Sequence, residues 1–344
     1  MFLGAAAVSL SLEGRLDLQR PIAAYLPELS TEVGVGAATL HQLLTHTSGL
    51  GNPLQCDTPQ TDLGDLLRRR GREPLFAPPG AVDNYSNQGY SFVALVLERV
   101  EGRPFEQIVR ERVLVPAGIP GASYGLERVA VRGHLPKGVS PMPRCRAMWP
   151  SGGLVLSARE LSHWASELSR PEESRLGRPL IELLTAPHVA SNGIPGGAYG
   201  YGVQRVPHGG LTIFTHSGRL EDSTAFVAWS PERRTSVAAF ADRTEPFLIG
   251  AGLRALSTFL SLPEDWQPPP GPEHPLDAYT GVYVDHHGTL GRLRVRLESG
   301  ALAIDYLDAR PPLLPANFRF VFAGGSPRPR YVVTAVGVGE RRDD

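Results

Sequence analysis

The first twelve residues constrain the fold more than any other stretch of this chain. Met1-Phe2-Leu3-Gly4-Ala5-Ala6-Ala7-Val8-Ser9-Leu10-Ser11-Leu12 is apolar nearly all round and carries no charge. A helix without a polar face belongs inside a large protein rather than on its surface. Gly14 stands where a helix C′ residue belongs, and Leu16 and Leu18 follow it in a turn. The stretch has the apolar look of a signal-peptide core but lacks a basic start, so the buried helix is the better reading. No capping residue precedes it, and a buried helix end needs partners for its N–H groups. The expectation is therefore that Met1 lies inside a longer protein.

Composition narrows the function classes. At 344 residues there is room for one large domain and a small one. A net charge of −1 gives no pull toward nucleic acid or an anionic membrane surface. No run reaches the ~18 to 20 apolar residues that span a bilayer. The Arg68-Arg69-Arg70-Gly71-Arg72 run reads as the solvated end of a helix, where cations are favoured, rather than as a phosphate patch. Lys137 is the only lysine, so any search for a catalytic lysine within the chain has one candidate. Cys56 and Cys145 are too few for a disulfide framework, and their pairing stays open. Localisation is not fixed by the sequence.

The clearest boundary is Gln267-Pro268-Pro269-Pro270-Gly271-Pro272, a stiff extended linker. Before it, residues 88–101 carry apolar side chains at helical spacing, and Ser157 reads as the N-cap of a helix over 158–168. Strands are expected over 201–206, 211–216, 223–230 and 236–241, with a helix over 249–262 closing on them. After the linker, short alternating strands are expected at 281–284, 290–297, 302–306, 318–322 and 331–336.

Several motifs stand in order along the chain. Leu44-Thr45-His46-Thr47-Ser48-Gly49-Leu50 comes first, then Phe76-Ala77-Pro78-Pro79-Gly80, Tyr85-Ser86-Asn87, Gly152-Gly153-Leu154 and His216-Ser217-Gly218. In this order and spacing, over about residues 1 to 262, the chain resembles the serine β-lactamase-related family: class C β-lactamases, DD-peptidases and their esterase relatives. The resemblance implies an α/β (α+β) fold, with an antiparallel sheet flanked by helices and its N-terminal strands missing here. It also implies a small C-terminal β-barrel-like domain. The expected division is 1–266 for the hydrolase domain, 267–274 for the linker and 275–340 for the all-β domain.

Members of that family carry Ser-x-x-Lys at the start of a buried helix, where the three-residue spacing puts both side chains on one face. The present 2–18 stretch matches the part behind the lysine, and no Ser-x-x-Lys occurs in the sequence; the only lysine sits in His134-Leu135-Pro136-Lys137. The resemblance gives Tyr85 the role of general base or acid, its phenol acidified by nearby cations, and Asn87 that of holding the substrate amide or the lysine. The residue-level alternative is that Tyr85 packs at a helix start and Asn87 caps it. His216, Ser217 and Gly218 would lie on an edge strand lining the site, and the N–H of Arg219 would be one oxyanion donor.

Where relatives carry a Gly-Phe pair shortly after the third motif, this chain has Asp222-Ser223, which places a carboxylate near the site and disfavours anionic substrates. Gly121-Ala122-Ser123-Tyr124-Gly125 fits a nucleophile elbow, but Pro116 and Pro120 put it in a loop rather than after a strand. His46 reads as a buried hydrogen-bonding residue. His286-His287 lacks zinc-site spacing, so neither a metal nor a cofactor is expected. The function implied is acyl-enzyme hydrolysis of a small-molecule or peptide substrate: a lactam, an ester, or a peptide ending in a D-residue. The alternative is a catalytically inactive remnant or binding module that retains the cleft.

Overall fold

The computed structural model describes the chain except residues 33, 52–60, 126–133, 136–137, 140–144, 192–195, 221, 244, 246, 263–274, 286–290, 309–320, 324–327, 334–337 and 343–344. The expected linker and Cys56, Lys137, His286 and His287 fall outside the described residues. Cys145 is disulfide-bonded.

The opening helix runs Phe2–Leu12 and buries Phe2 through Val8 and Leu10. It ends where the sequence says it should. Gly14 takes the left-handed φ of +72°, and Arg15 N–H donates to Leu10 O at 3.0 Å. Gly4 faces the Tyr201 backbone so closely that a Cβ there would lie 2.4 Å from the carbonyl oxygen.

This helix belongs to a layer that covers one face of a six-stranded antiparallel sheet. The strand order is Thr235–Ala241, Ser223–Ser230, Leu211–Leu220, Gln204–His208, Ala198–Tyr199, Val189–Ala190. Side chains alternate between the faces of a strand. In Ser223–Ser230, Val227 and Trp229 join the cluster that holds Phe2 and Trp164, while Phe226 and Ala228 pack with Leu256 and Leu260 of the helix Phe247–Leu260. Both faces are covered, which is why this strand reads as a nearly continuous apolar run. Phe2 and Trp164 meet at 4.4 Å between ring centroids, and Trp164 comes from the helix Ala158–Leu168. Ser157 and Glu160 close a capping box at the start of that helix.

Two expectations need correction. The strand expected over 201–206 is broken at Gly202, whose φ of +86° suits no strand, so regular pairing begins at Gln204. The strand carrying His216 is an edge only in part. It pairs with Gln204–His208 as far as Thr215, and beyond that only with Ser223–Ser230.

The second sheet is curled and antiparallel, in the order Ala301–Tyr306, Arg292–Glu298, Gly281–Val284, Val338–Arg342, Tyr331–Val333, Val321–Ala323. The strand Val338–Arg342 was not anticipated; its Glu-Arg-Arg ending hides a strand that pairs on both sides. Tyr331 of this sheet packs with Phe76, Ala77 and Val82, on the segment that leads into Tyr85.

Candidate active site

Two loops laced together by backbone hydrogen bonds carry the first wall of the site. Phe76 N–H donates to Gly49 O at 2.7 Å, Gly80 N–H to Thr47 O at 2.6 Å and Asn84 N–H to His46 O at 2.7 Å. The Asn84 carboxamide adds a donor to Leu50 O at 2.9 Å. Next to this seam the helix Asn87–Glu101 begins, and its N-cap is Ser86, whose hydroxyl accepts from Gly89 N–H at 3.3 Å. Asn87 is thus the first helical residue and not the cap.

Tyr85 stands immediately before the cap, 43% exposed, with its ring 4.1 Å from that of His46. Desolvation pushes its pKa up to about 12. The acidified phenol expected from the resemblance is not what the described residues produce. The rings around it are His46 and, farther in, Tyr90 and Tyr199, none of which is a cation.

His46 is the hub of this wall. It is 2% exposed, and its backbone holds a φ of +60°. That region is uncommon outside glycine, though histidine is among the residues enriched there. Its Nδ1 accepts from Ser86 N–H at 3.1 Å, and its Nε2 lies 3.2 Å from the Tyr199 hydroxyl. Desolvation holds its pKa down at about 3, so the ring is neutral at physiological pH.

The second wall is the strand Leu211–Leu220. His216 Nε2 lies 3.3 Å from the Tyr199 hydroxyl, and burial lowers its pKa to about 4. Ser217, Gly218 and Arg219 continue along the strand and are exposed. Their outer edge has no partner strand among the described residues, so alternate N–H and C=O groups face outward there. Asp222 is not part of this edge. It sits at the end of the hairpin, 1% exposed, and Ser223 Oγ–H donates to its carboxylate at 3.1 Å. The carboxylate that acts on the cluster is Asp83, which raises the Tyr199 pKa after desolvation and the neighbouring phenols Tyr90 and Tyr85.

The floor is Met1. Its backbone nitrogen is fully buried, and burial lowers its pKa to about 5. It lies so close to Gly202 that a Cβ on that residue would sit 2.5 Å from it and 2.9 Å from the Tyr90 hydroxyl. Both His46 and His216 sense its charge. Ser123, by contrast, lies in a two-residue strand, Ser123–Tyr124, paired with Leu154–Val155. No group of three or more His, Cys, Asp or Glu suited to a metal occurs among the described residues.

The structure thus joins Tyr85 and His216 through His46 and Tyr199. The tyrosine in this chain of contacts was missed in the sequence. Its one signal was the Tyr199-Gly200-Tyr201-Gly202 alternation, where Gly202 makes room for the Met1 end of the opening helix and Gly200 for the Leu184 backbone.

A sequence model of the family described as Beta-lactamase matches residues 1–257. The chain belongs to the beta-lactamase family. Among curated members, Protein flp of Staphylococcus aureus (strain MW2) is 23% identical over 264 residues, covering 72% of this chain and 52% of that protein. The chain spans about half the length, or less, of the curated relatives it matches. Among solved structures, SurE with D-Leu superposes with a TM-score of 0.74 at 22% identity, covering 99% of this chain and 85% of that one. A class C beta-lactamase gives a TM-score of 0.61 at 14% identity, covering 71% and 75%. These likenesses show the beta-lactamase fold.

Proposed function

We propose that this chain carries the acid–base and substrate-edge parts of an acyl-enzyme serine hydrolase. Its serine and lysine would stand on residues ahead of Met1 in the longer protein. One observation carries the proposal. The Met1 nitrogen is buried beside Gly202 and Tyr90 and within electrostatic reach of His46 and His216, so a residue joined to it enters the same cluster. As a peptide nitrogen it also carries no charge to desolvate.

Tyr85 needs such a neighbour. With its pKa pushed up to about 12, its phenolate is scarce near neutrality. An ammonium about 4 Å away at an effective dielectric of ~20 is worth about 4 kcal/mol, or roughly 3 pKa units. That brings the phenol into the range where it takes the serine proton and returns it to the leaving group. Asn87 holds the substrate amide or the lysine. His216 and the open edge at Ser217 and Gly218 receive the substrate backbone, with Arg219 N–H as one oxyanion donor and the serine N–H as the other. Ester, amide and lactam carbonyls all suit this chemistry. The likeness to a SurE structure holding D-Leu favours a D-configured residue among them.

The test is genetic and kinetic. The reading frame ahead of the Met1 codon encodes Ser-x-x-Lys ending directly before it, and the longer protein hydrolyses an activated ester that residues 1–344 alone do not. An in-frame stop immediately ahead of Met1 would refute the proposal in favour of an inactive binding module.

A further inference from the structure

His46 and Tyr199 are buried polar residues in contact with both walls of the site, yet neither has a role in the chemistry set out above. Their hydrogen bonds have a direction, and it can be worked out from one fixed donor. The Ser86 backbone N–H can only donate, and it points at His46 Nδ1 over 3.1 Å. That nitrogen therefore carries no hydrogen, and the neutral ring holds its hydrogen on Nε2. Nε2–H faces the Tyr199 oxygen at 3.2 Å and donates to it. The Tyr199 hydroxyl, having accepted, directs its own hydrogen elsewhere.

Two acceptors compete for that hydrogen. His216 Nε2 lies at 3.3 Å, and the Tyr90 hydroxyl is also a hydrogen-bond partner of Tyr199. Tyr90 gives its own hydrogen to Leu44 O at 3.0 Å, so only its oxygen lone pairs remain. An imidazole nitrogen is a far stronger base than a phenol oxygen, which favours His216. The two outcomes differ in one observable. If Tyr199 donates to His216, that ring bears its hydrogen on Nδ1; if it donates to Tyr90, His216 bears it on Nε2 and donates to Tyr199.

We propose that His46 and Tyr199 form a buried relay that carries the donor direction of the Ser86 N–H to His216, fixing His216 as the Nδ1–H tautomer. They are positioning residues. The relay ties the segment holding Tyr85 and Asn87 to the substrate-facing strand through hydrogen bonds that span 40 and 153 residues of sequence. The left-handed backbone at His46 fits this role, because strained conformations persist where the surroundings over-determine them. The catalytic consequence rests on the reading under Proposed function; the tautomers do not.

The first arm uses residues 1–344 as they are. Nitrogen-15 NMR of the ring nitrogens, from about pH 5.5 to 8, is expected to show His46 as Nε2–H and His216 as Nδ1–H, each a single neutral tautomer. In Tyr199→Phe, His46 is expected to keep its tautomer while His216 moves to Nε2–H or a mixture. Finding wild-type His216 as Nε2–H, or finding it unchanged in Tyr199→Phe, overturns the relay whatever the chain catalyses.

The second arm uses the longer protein and a good ester. His46→Asn keeps a side chain that tolerates the left-handed backbone and can accept from Ser86 N–H, but is too short to reach Tyr199. Loss of one buried hydrogen bond predicts about a tenfold fall in kcat with KM little changed for either single variant. The double variant His46→Asn/Tyr199→Phe is expected to be no worse than the poorer single one, since one relay is cut in both cases. Independent, multiplying losses would overturn the proposal. If the longer protein has no esterase activity while the tautomers are as expected, the relay stands and the functional reading falls.

Discussion

Gly202 offers a quantitative test of how the site is built. Replacing it with alanine has two consequences. At a φ of +86° an L-residue is strained, by about 1 to 2 kcal/mol. The new Cβ would also lie 2.5 Å from the Met1 nitrogen and 2.9 Å from the Tyr90 hydroxyl, and neither is a loose side-chain end. Overpacking of that kind costs about 1 to 3 kcal/mol. The expected loss for Gly202→Ala is thus about 2 to 5 kcal/mol. Gly210 is the control, with a φ of +78° but nothing within 4 Å of an added Cβ. Gly210→Ala retains the strain alone, partly offset by the stiffer unfolded chain, for a loss of about 1 kcal/mol. Urea unfolding of both variants at one pH, compared at unchanged m-value, measures the difference. Equal losses would show that Met1 and Tyr90 do not crowd Gly202 and that the floor of the site is misassigned.

Three further outcomes follow from the same geometry. In the longer protein Tyr85→Phe keeps the ring against His46 but removes the proton carrier, so kcat for an activated ester should fall by ~10²-fold or more; unchanged turnover in a stopped-flow assay would remove Tyr85 from the mechanism. Trp164 is fully buried against Phe2, so Trp164→Ala should lose about 3 to 5 kcal/mol in urea unfolding, whereas a loss under about 1 kcal/mol would mean the helical layer is not packed on the sheet as described. His46 and His216 have folded pKa values lowered to about 3 and about 4, against 6.5 when unfolded, so the unfolded chain binds more protons below pH 6.5 and stability must fall as the pH drops toward 4. The slope approaches ~1.4 kcal/mol per pH unit for each histidine, and His46→Asn should remove about half of the pair's contribution; a flat profile between pH 6.5 and 4 would contradict their burial.

Much of the fold is written locally. The charge-free opening stretch, the Ser157 to Glu160 capping box and the strand Ser223–Ser230 each state their structure in adjacent residues, because helix caps and strand alternation are short-range physics. The errors fall where longer-range demands override local pattern. The 201–206 stretch looks like a strand until Gly202 has to yield room to Met1. Val338–Arg342 looks too charged for a strand until Gly281–Val284 and Tyr331–Val333 are seen to flank it. The same holds for the site. Tyr85 and His216 were singled out by their motifs, and His46 as a buried hydrogen-bonding residue, which is how the structure holds it. The Tyr199 hydroxyl that joins them was not, since nothing in sequence marks a contact between residues 153 positions apart. Asp222 is close to Gly218 in sequence, and what the sequence did not show is its place at the hairpin end, 1% exposed with Ser223 donating to its carboxylate.

The most direct test of the central claim is intact-mass and peptide mapping of the longer protein after reaction with a fluorophosphonate and, separately, with a β-lactam. One adduct per chain is expected, on a serine three residues ahead of a lysine that directly precedes Met1, with no adduct on residues 1–344 alone. An adduct on Ser48, Ser86 or Ser123, or none on the longer protein, would contradict it.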